Sequence, residues 1–187
     1  MRAQRVDQGA EGAGTGAGHR PGGDVRRPGR LRWLVRSYQA HVWRFLRHLL
    51  GAGALAEDVT QETFLRVYQH LPTFAWRSTF STWVFRVARN AGIDALRSRR
   101  RHDQLLHVLP PPRPEAAPDA RAEAWAAVAA LSPKLREALL LVEVFGFTYR
   151  EAAQVLGVPD GTVKSRVFHA RERLAAWRDE EGRASEV

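Results

Sequence analysis

Residues 148–174 read Thr148-Tyr-Arg-Glu-Ala-Ala-Gln-Val-Leu-Gly-Val-Pro-Asp-Gly-Thr-Val-Lys-Ser-Arg-Val-Phe-His-Ala-Arg-Glu-Arg-Leu174. Thr148 is a residue type that caps free helical N–H groups, and a short helix to Leu156 follows it. Gly157 supplies the tight turn, and after Val158-Pro159 a second helix, with Asp160 as its cap, runs to about Trp177. Small Ala153 stands where that second helix must approach, and Val163 packs back against the first. These are the steric demands of a helix-turn-helix, whose second helix enters a DNA major groove with its N-terminal half against base edges. Lys164, Ser165, Phe168 and Arg171 project together from it at one-, three- and four-residue steps. Lysine and arginine reach guanine or phosphate, serine either, and phenylalanine a thymine methyl. A plain helical hairpin with a solvated charged face would not need small residue, turn glycine, cap and basic face at these offsets together.

Upstream, Ser132-Pro133 opens another helix, with the serine as cap and the proline at the first position, where no N–H bond is lost. It is expected to bury Leu135, Leu139, Val142 and Phe145 and to end at Gly146. A helix over Asp119–Leu131 precedes it. Before that, five of the ten prolines fall between Pro110 and Pro118, a stretch no helix can cross and one expected to be a flexible linker. On its other side the apolar residues again keep helical spacing. Leu31, Leu34, Tyr38, Val42, Phe45, Leu46 and Leu49 form one stripe, ended by Gly51 and Gly53. Leu55, Val59, Phe64, Val67 and Leu71 form a second, stopped by Pro72, and Trp83, Val84, Val87 and Ala91 a third that begins near Phe80 and fades over Arg97–Arg101. The expectation is an all-α chain of two small helical domains: a disordered tail over 1–30, a helical bundle over 31–103, a Pro-rich flexible linker over 104–120, a helix-turn-helix domain over 121–178 and a second tail over 179–187.

The 187 residues carry 29 Lys and Arg against 20 Asp and Glu, a net charge of +9 that suggests a polyanionic partner. Twelve basic and five acidic residues lie between Leu31 and Asp103, whereas Ala124–Val187 holds nine of each. The first domain therefore carries the field, and recognition by the second must come from a local patch. No cysteine is present, which excludes disulfides, thiolate metal sites and cysteine nucleophiles. The histidines, among them His41, His48, His70, His102, His107 and His169, lack metal-ligand spacing. No stretch approaches a membrane span, and the Arg-containing start has no apolar segment behind it, so a cytoplasmic location is expected.

Two faces of the first domain stand out. On its second helix Asp58, Gln61, Glu62 and Leu65 are spaced i, i+3, i+4, i+7 and point outward; a leucine among carboxylates and an amide suits a docking helix, although plain surface remains an alternative. The third helix turns Arg86, Arg89, Asn90 and Arg97 away from its stripe, with Arg99, Arg100 and Arg101 beyond, a strip suited to phosphates. Between these helices the loop Thr73-Phe-Ala-Trp-Arg-Ser-Thr-Phe-Ser81 sets aromatics beside hydroxyls and an arginine, a combination able to receive an unstacked base. Phe80 and Trp83 are expected to anchor in the core; Trp76 stays open.

The run Ala56-Glu-Asp-Val-Thr-Gln-Glu-Thr-Phe-Leu-Arg-Val67, followed by Phe80-Ser-Thr-Trp-Val-Phe-Arg-Val-Ala-Arg-Asn-Ala-Gly-Ile-Asp94, resembles region 2 of extracytoplasmic-function sigma factors of bacterial RNA polymerase. Leu131-Ser-Pro-Lys-Leu-Arg-Glu-Ala-Leu-Leu-Leu141 and Gly161–Leu174 are similar to their region 4. The resemblance implies that Asp58, Gln61, Glu62 and Leu65 dock on core polymerase. It implies that Thr73, Phe74, Ala75, Trp76, Arg77 and Ser78 capture a flipped base of the opened minus-ten strand, beside Arg86, Arg89, Asn90 and Arg97. It further implies that Thr162, Lys164, Ser165, Arg166, Phe168, His169 and Arg171 read the duplex minus-thirty-five element. Many relatives carry arginine where this chain has His169, which is shorter and mostly neutral at pH 7. The implied protein directs promoter recognition, melting and initiation at signal-responsive promoters on the nucleoid, under an anti-sigma factor. It has no cofactor, no metal, no catalytic residue and no membrane insertion. Two other readings stand beside it: a regulator using the helix-turn-helix alone, and an enzyme acting on nucleic acid, for which Glu57, Asp58 and Glu62 lack partners.

Overall fold

A computed structural model describes the backbone of residues 28–51, 53–75, 77–106 and 120–184. Helices α1 (Pro28–Leu50), α2 (Gly53–His70) and α3 (Phe80–Leu106) form a first module, with a 3-10 turn over Leu71–Thr73 where Pro72 ends α2. Helices α4 (Ala120–Ala130), α5 (Pro133–Leu139), α6 (Tyr149–Leu156) and α7 (Asp160–Ala184) form a second, and α5 continues as a π-helical turn over Leu140–Val144. Among the described residues there is no strand. The expected linker over 104–120 lies mostly outside the described residues, as does most of the tail over 1–30.

Several element ends differ from the sequence reading. Helix α1 starts at Pro28, where the ring supplies a helical φ and lacks only an N–H that the first turn leaves unbonded. Helix α3 does not fade at Arg97 but continues to Leu106, and α7 extends through the expected tail to Ala184. Ser132 does not cap α5 through its hydroxyl; its carbonyl accepts from the Leu135 and Arg136 N–H groups, both at 3.0 Å. Asp160 is the first residue of α7, not the residue before it: the Pro159 carbonyl accepts from Thr162 N, while the Asp160 carboxylate takes the Gly161 N–H at 2.8 Å.

The first module closes over Val42, Phe45, Leu46, Val59, Val67, Phe80 and Val84, all buried. Gly92 lets α1 and α3 approach, since a Cβ there would stand 3.0 Å from the Leu46 and Leu49 side chains. In the second module Val163, Val167 and Ala170 of α7 are buried against α5 and α6. The two modules do not stay apart. Phe45 and Phe85 meet Phe145 with ring centroids 5.8 and 5.2 Å apart, Phe85 also meets Phe147 at 4.9 Å, and all four rings belong to one continuous core. Across the same seam Arg89 Nε donates to the buried Glu137 carboxylate at 3.1 Å.

A second contact closes the other end of the seam. His48 of α1 stacks on Trp125 of α4 at 3.8 Å, and Arg136 of α5 donates to the His48 carbonyl at 3.3 Å. Burial first, then the charges of Arg44, Arg47 and Arg136, push the His48 pKa down to about 4. A depressed histidine pKa means the unfolded chain takes up a proton that the folded chain refuses, so stability present above pH 6.5 is lost as pH falls towards 4. His48→Phe keeps a ring on Trp125 and removes the titration. Thermal melts between pH 6.5 and 4 are therefore expected to show a shallower fall for the variant than for the parent, and equal slopes would exclude His48 as the cause.

Candidate functional site

The helix-turn-helix is built by local bonds that the sequence specifies. Thr148 and Glu151 exchange hydrogen bonds in a capping box: the Thr148 hydroxyl accepts from Glu151 N at 3.2 Å and the Glu151 carboxylate from Thr148 N at 3.0 Å. Helix α6 ends at Gly157, whose φ of 67° is left-handed and whose N–H returns to the Ala153 carbonyl at 2.8 Å. Helix α7 then starts after Pro159 with Val163 buried against α6, which turns Lys164, Ser165 and Phe168 to solvent.

The candidate reading face does not present all seven expected side chains alike. Lys164 is exposed, and Phe168 keeps 58% of its surface in solvent, far more than a core ring would. Ser165 turns its hydroxyl back to the Thr162 carbonyl at 3.0 Å, and Thr162 itself is half-buried. His169 pairs with Glu172 at 3.0 Å, and Arg171 reaches Glu143 of the π turn at 2.5 Å. Arg166 points along the α5 side, half-buried, where its charge acts on Glu137.

In the first module Asp58, Gln61, Glu62 and Leu65 are all exposed on one side of α2, Leu65 at 63%. Glu62 is tied to Arg66 at 2.5 Å, and Arg66 also reaches Asp94 of α3 at 3.7 Å. Tyr68, 64% exposed and one turn beyond Leu65, extends this side and was missed from the sequence. Its signal was the continued spacing of i+7 from Gln61.

The loop after α2 folds its aromatics inward. Phe74 stacks on Trp83 at 4.6 Å and meets Phe80 edge-on at 6.2 Å. Phe80 and Trp83 are buried, as expected of anchors. The hydroxyls are partly spent on structure: Thr79 Oγ1 accepts from Thr82 N at 3.2 Å and bonds the Ser81 and Thr82 hydroxyls, capping α3, while the Thr73 hydroxyl donates to the His70 carbonyl at 2.9 Å. Arg77 and Ala75 remain exposed; Trp76 lies outside the described residues. Thr73, Phe74, Ala75, Arg77, Ser78, Trp83 and Arg86 line a groove of about 630 Å³, which Gln154 of α6 also enters.

Along α3, Arg86, Asn90, Arg97 and Arg101 recur on one exposed side, with Arg97 4.0 Å from Asp94. Arg89 departs from this strip. It is not turned to solvent but sits half-buried against α5, its guanidinium held by Glu137, because the second module covers that side of α3. Burial raises the pKa of the Glu137 carboxyl, and the Arg89 charge and hydrogen bond, with Arg166, pull it back down. Among the described residues no group of three or more metal-ligating side chains occurs, and no helix is long and apolar enough to cross a membrane.

The two modules coincide with two family models: Sigma-70 region 2 matches residues 34–102 and Sigma-70 region 4 matches residues 121–174. The chain is an extracytoplasmic-function sigma factor of the sigma-70 family. It is 36% identical over 152 residues to the ECF RNA polymerase sigma factor SigC of Mycobacterium tuberculosis, covering 78% of this chain and 82% of that one. Among solved structures it resembles the sigma factor RpoE of Bartonella quintana, crystallised with the anti-sigma factor NepR, at a TM-score of 0.67 and 29% identity over 76% of this chain and 92% of that one. It also resembles CnrH in complex with the cytosolic domain of CnrY, at a TM-score of 0.63 and 26% identity over 81% and 88% of the two chains. As a sigma factor it binds core RNA polymerase and directs promoter recognition, DNA melting and transcription initiation.

Region 4 depends on Gly157 for its turn, and a Cβ there would meet no atom within 4 Å, so the cost of any other residue is purely that of the left-handed backbone. Gly157→Ala is expected to cost about 1–2 kcal/mol of stability, and Gly157→Asn less. Urea unfolding midpoints of the two variants check the order, and an alanine variant as stable as the parent would contradict it.

Proposed function

We propose that the sigma factor works through three separate surfaces: α2 docks on core polymerase, the loop after α2 and the strip on α3 take the opened minus-ten strand, and α7 reads the minus-thirty-five duplex. The observation that supports this most directly is the exposure of Leu65 and Tyr68 beside Asp58, Gln61 and Glu62, an apolar and acidic face on an otherwise basic region 2. Such a face is a poor surface for DNA and a good one for a protein helix. On the minus-ten side, the groove lined by Phe74, Arg77, Ser78 and Arg86 combines a ring, a hydroxyl and two guanidinium groups. That set suits an unstacked base held by its edge and its phosphate, and capture of the base offsets the few kcal/mol of unpairing that melting requires.

On α7, Lys164 and Phe168 are the exposed readers, and Arg171 joins them by exchanging Glu143 for DNA. Arg77 adds charge at the groove, and His169 replaces a fixed cation by one that is mostly neutral at pH 7. Initiation needs no covalent step from these residues, so the protein acts as a specificity subunit and not as an enzyme, in the cytoplasm where polymerase and nucleoid DNA lie. Its control by an anti-sigma factor follows the sigma factor RpoE, co-crystallised with the anti-sigma factor NepR, which shares this fold.

Transcription in vitro with purified core polymerase over a promoter library tests the assignment. Leu65→Asp is expected to abolish co-purification with core polymerase while leaving the helical content unchanged. Lys164→Ala is expected to weaken promoter binding by about 1–3 kcal/mol without loss of polymerase binding. A Leu65→Asp protein that still assembles and initiates would remove α2 from the docking surface.

A further inference from the structure

The two ring nitrogens of His169 are in different states. The residue follows Ser165 by four positions, so it stands one turn further along the same side of α7, next to Phe168. Its Nδ1 lies 3.0 Å from the Glu172 carboxylate, and its ring meets Phe168 edge-on with centroids 5.5 Å apart. Both His169 and Glu172 are exposed, and Nε2 has no hydrogen-bond partner among the described residues. A carboxylate only accepts, so the proton of the pair belongs on Nδ1. An imidazole at pH 8 is neutral and carries a single N–H. Glu172 therefore leaves Nε2 as a bare lone pair, an acceptor on a helix whose exposed Lys164 and Arg171 offer only donors.

That lone pair decides what His169 can touch. A phosphate oxygen is itself an acceptor, and the Glu172 charge beside the ring repels it, so neither side chain suits the DNA backbone. The cations next to them do suit it. Lys134 of α5 and Arg166 and Arg173 of α7 line, with His169 and Glu172, a groove of about 480 Å³, and these three can hold phosphate there. What is left for Nε2 is a donor on a base edge. In the major groove those donors are the exocyclic amino groups, N6 of adenine and N4 of cytosine, whereas guanine and thymine present keto oxygens. Every base pair has one of each, on opposite strands, so an acceptor chooses the strand on which the amino group lies.

We propose that His169 is a specificity-determining residue which selects an amino base, adenine or cytosine, over a keto base, guanine or thymine, at one position of one minus-thirty-five strand. Glu172 is the positioning residue that fixes the tautomer. The selection rests on the reading of the minus-thirty-five duplex by α7, and adds to it the chemical class of base that one side chain accepts.

The test uses the full chain bound to core polymerase at pH 8, with binding selected from a duplex promoter library randomised across the minus-thirty-five element and read by sequencing. In the parent, one position should favour adenine and cytosine over guanine and thymine by about five-fold, the low end for a base contact. His169→Arg supplies donors only, so the preference at that position should invert towards guanine, while His169→Gln keeps an acceptor and should keep adenine. Glu172→Ala leaves the imidazole in place but frees its tautomer, and the preference at that same position alone should flatten. Both side chains are exposed, so none of these substitutions disturbs the core. A sequence-independent loss of affinity in His169→Gln, with a shallower dependence on salt, would place His169 on a phosphate and overturn the proposal. An unchanged preference in Glu172→Ala overturns the tautomer lock and the proposal with it. A parent without preference at any minus-thirty-five position removes the reading by α7 itself, whereas preferences that persist unaltered in all three variants remove only the role of His169.

Discussion

A buried ion pair inside an aromatic seam is the interaction on which the arrangement of this sigma factor turns. Phe45 and Phe85 from region 2 and Phe145 and Phe147 from region 4 form one apolar junction, and Arg89 and Glu137 cross it as the charged contact. Either set alone would behave differently. Four rings bring large apolar area and little direction, so they hold two surfaces together without choosing their register. A buried charge pair is roughly neutral in energy against apolar neighbours, yet breaking it by removing one partner is expensive, so it selects one alignment against all others. The π turn serves the same end. It carries the bond from Phe145 N to the Leu140 carbonyl, and beyond it Phe147 N returns to Leu141 O, which delivers two rings to the seam from a chain that an ordinary helix would have carried past it.

Charge is divided between the modules in a way that matches their roles. Region 2 holds the excess of arginine, with Arg86, Arg97 and Arg101 on one exposed side of α3, while region 4 is balanced. A balanced module has little long-range attraction for a polyanion, so the long-range attraction to DNA comes from region 2.

Much of this was legible in the sequence because it is local. The Thr148 cap, the Gly157 turn, the stripe that buries Val163 and the stops at Gly51 and Pro72 are decided within a few residues, and the structure has them where the spacing put them. The anchoring of Phe80 and Trp83 was legible for the same reason. What escaped was set by partners far along the chain. Phe85 reads as one more residue of α3 and Glu137 as a charged residue on an amphipathic helix, and only the other module gives them rings and a guanidinium to meet. Arg89 falls on the outward side of region 2 by helical spacing, and spacing within one helix cannot report that a second module covers it. Ser132 failed differently: the residue type and position were those of a cap, but the backbone carbonyl satisfied the N–H groups that the hydroxyl was expected to meet.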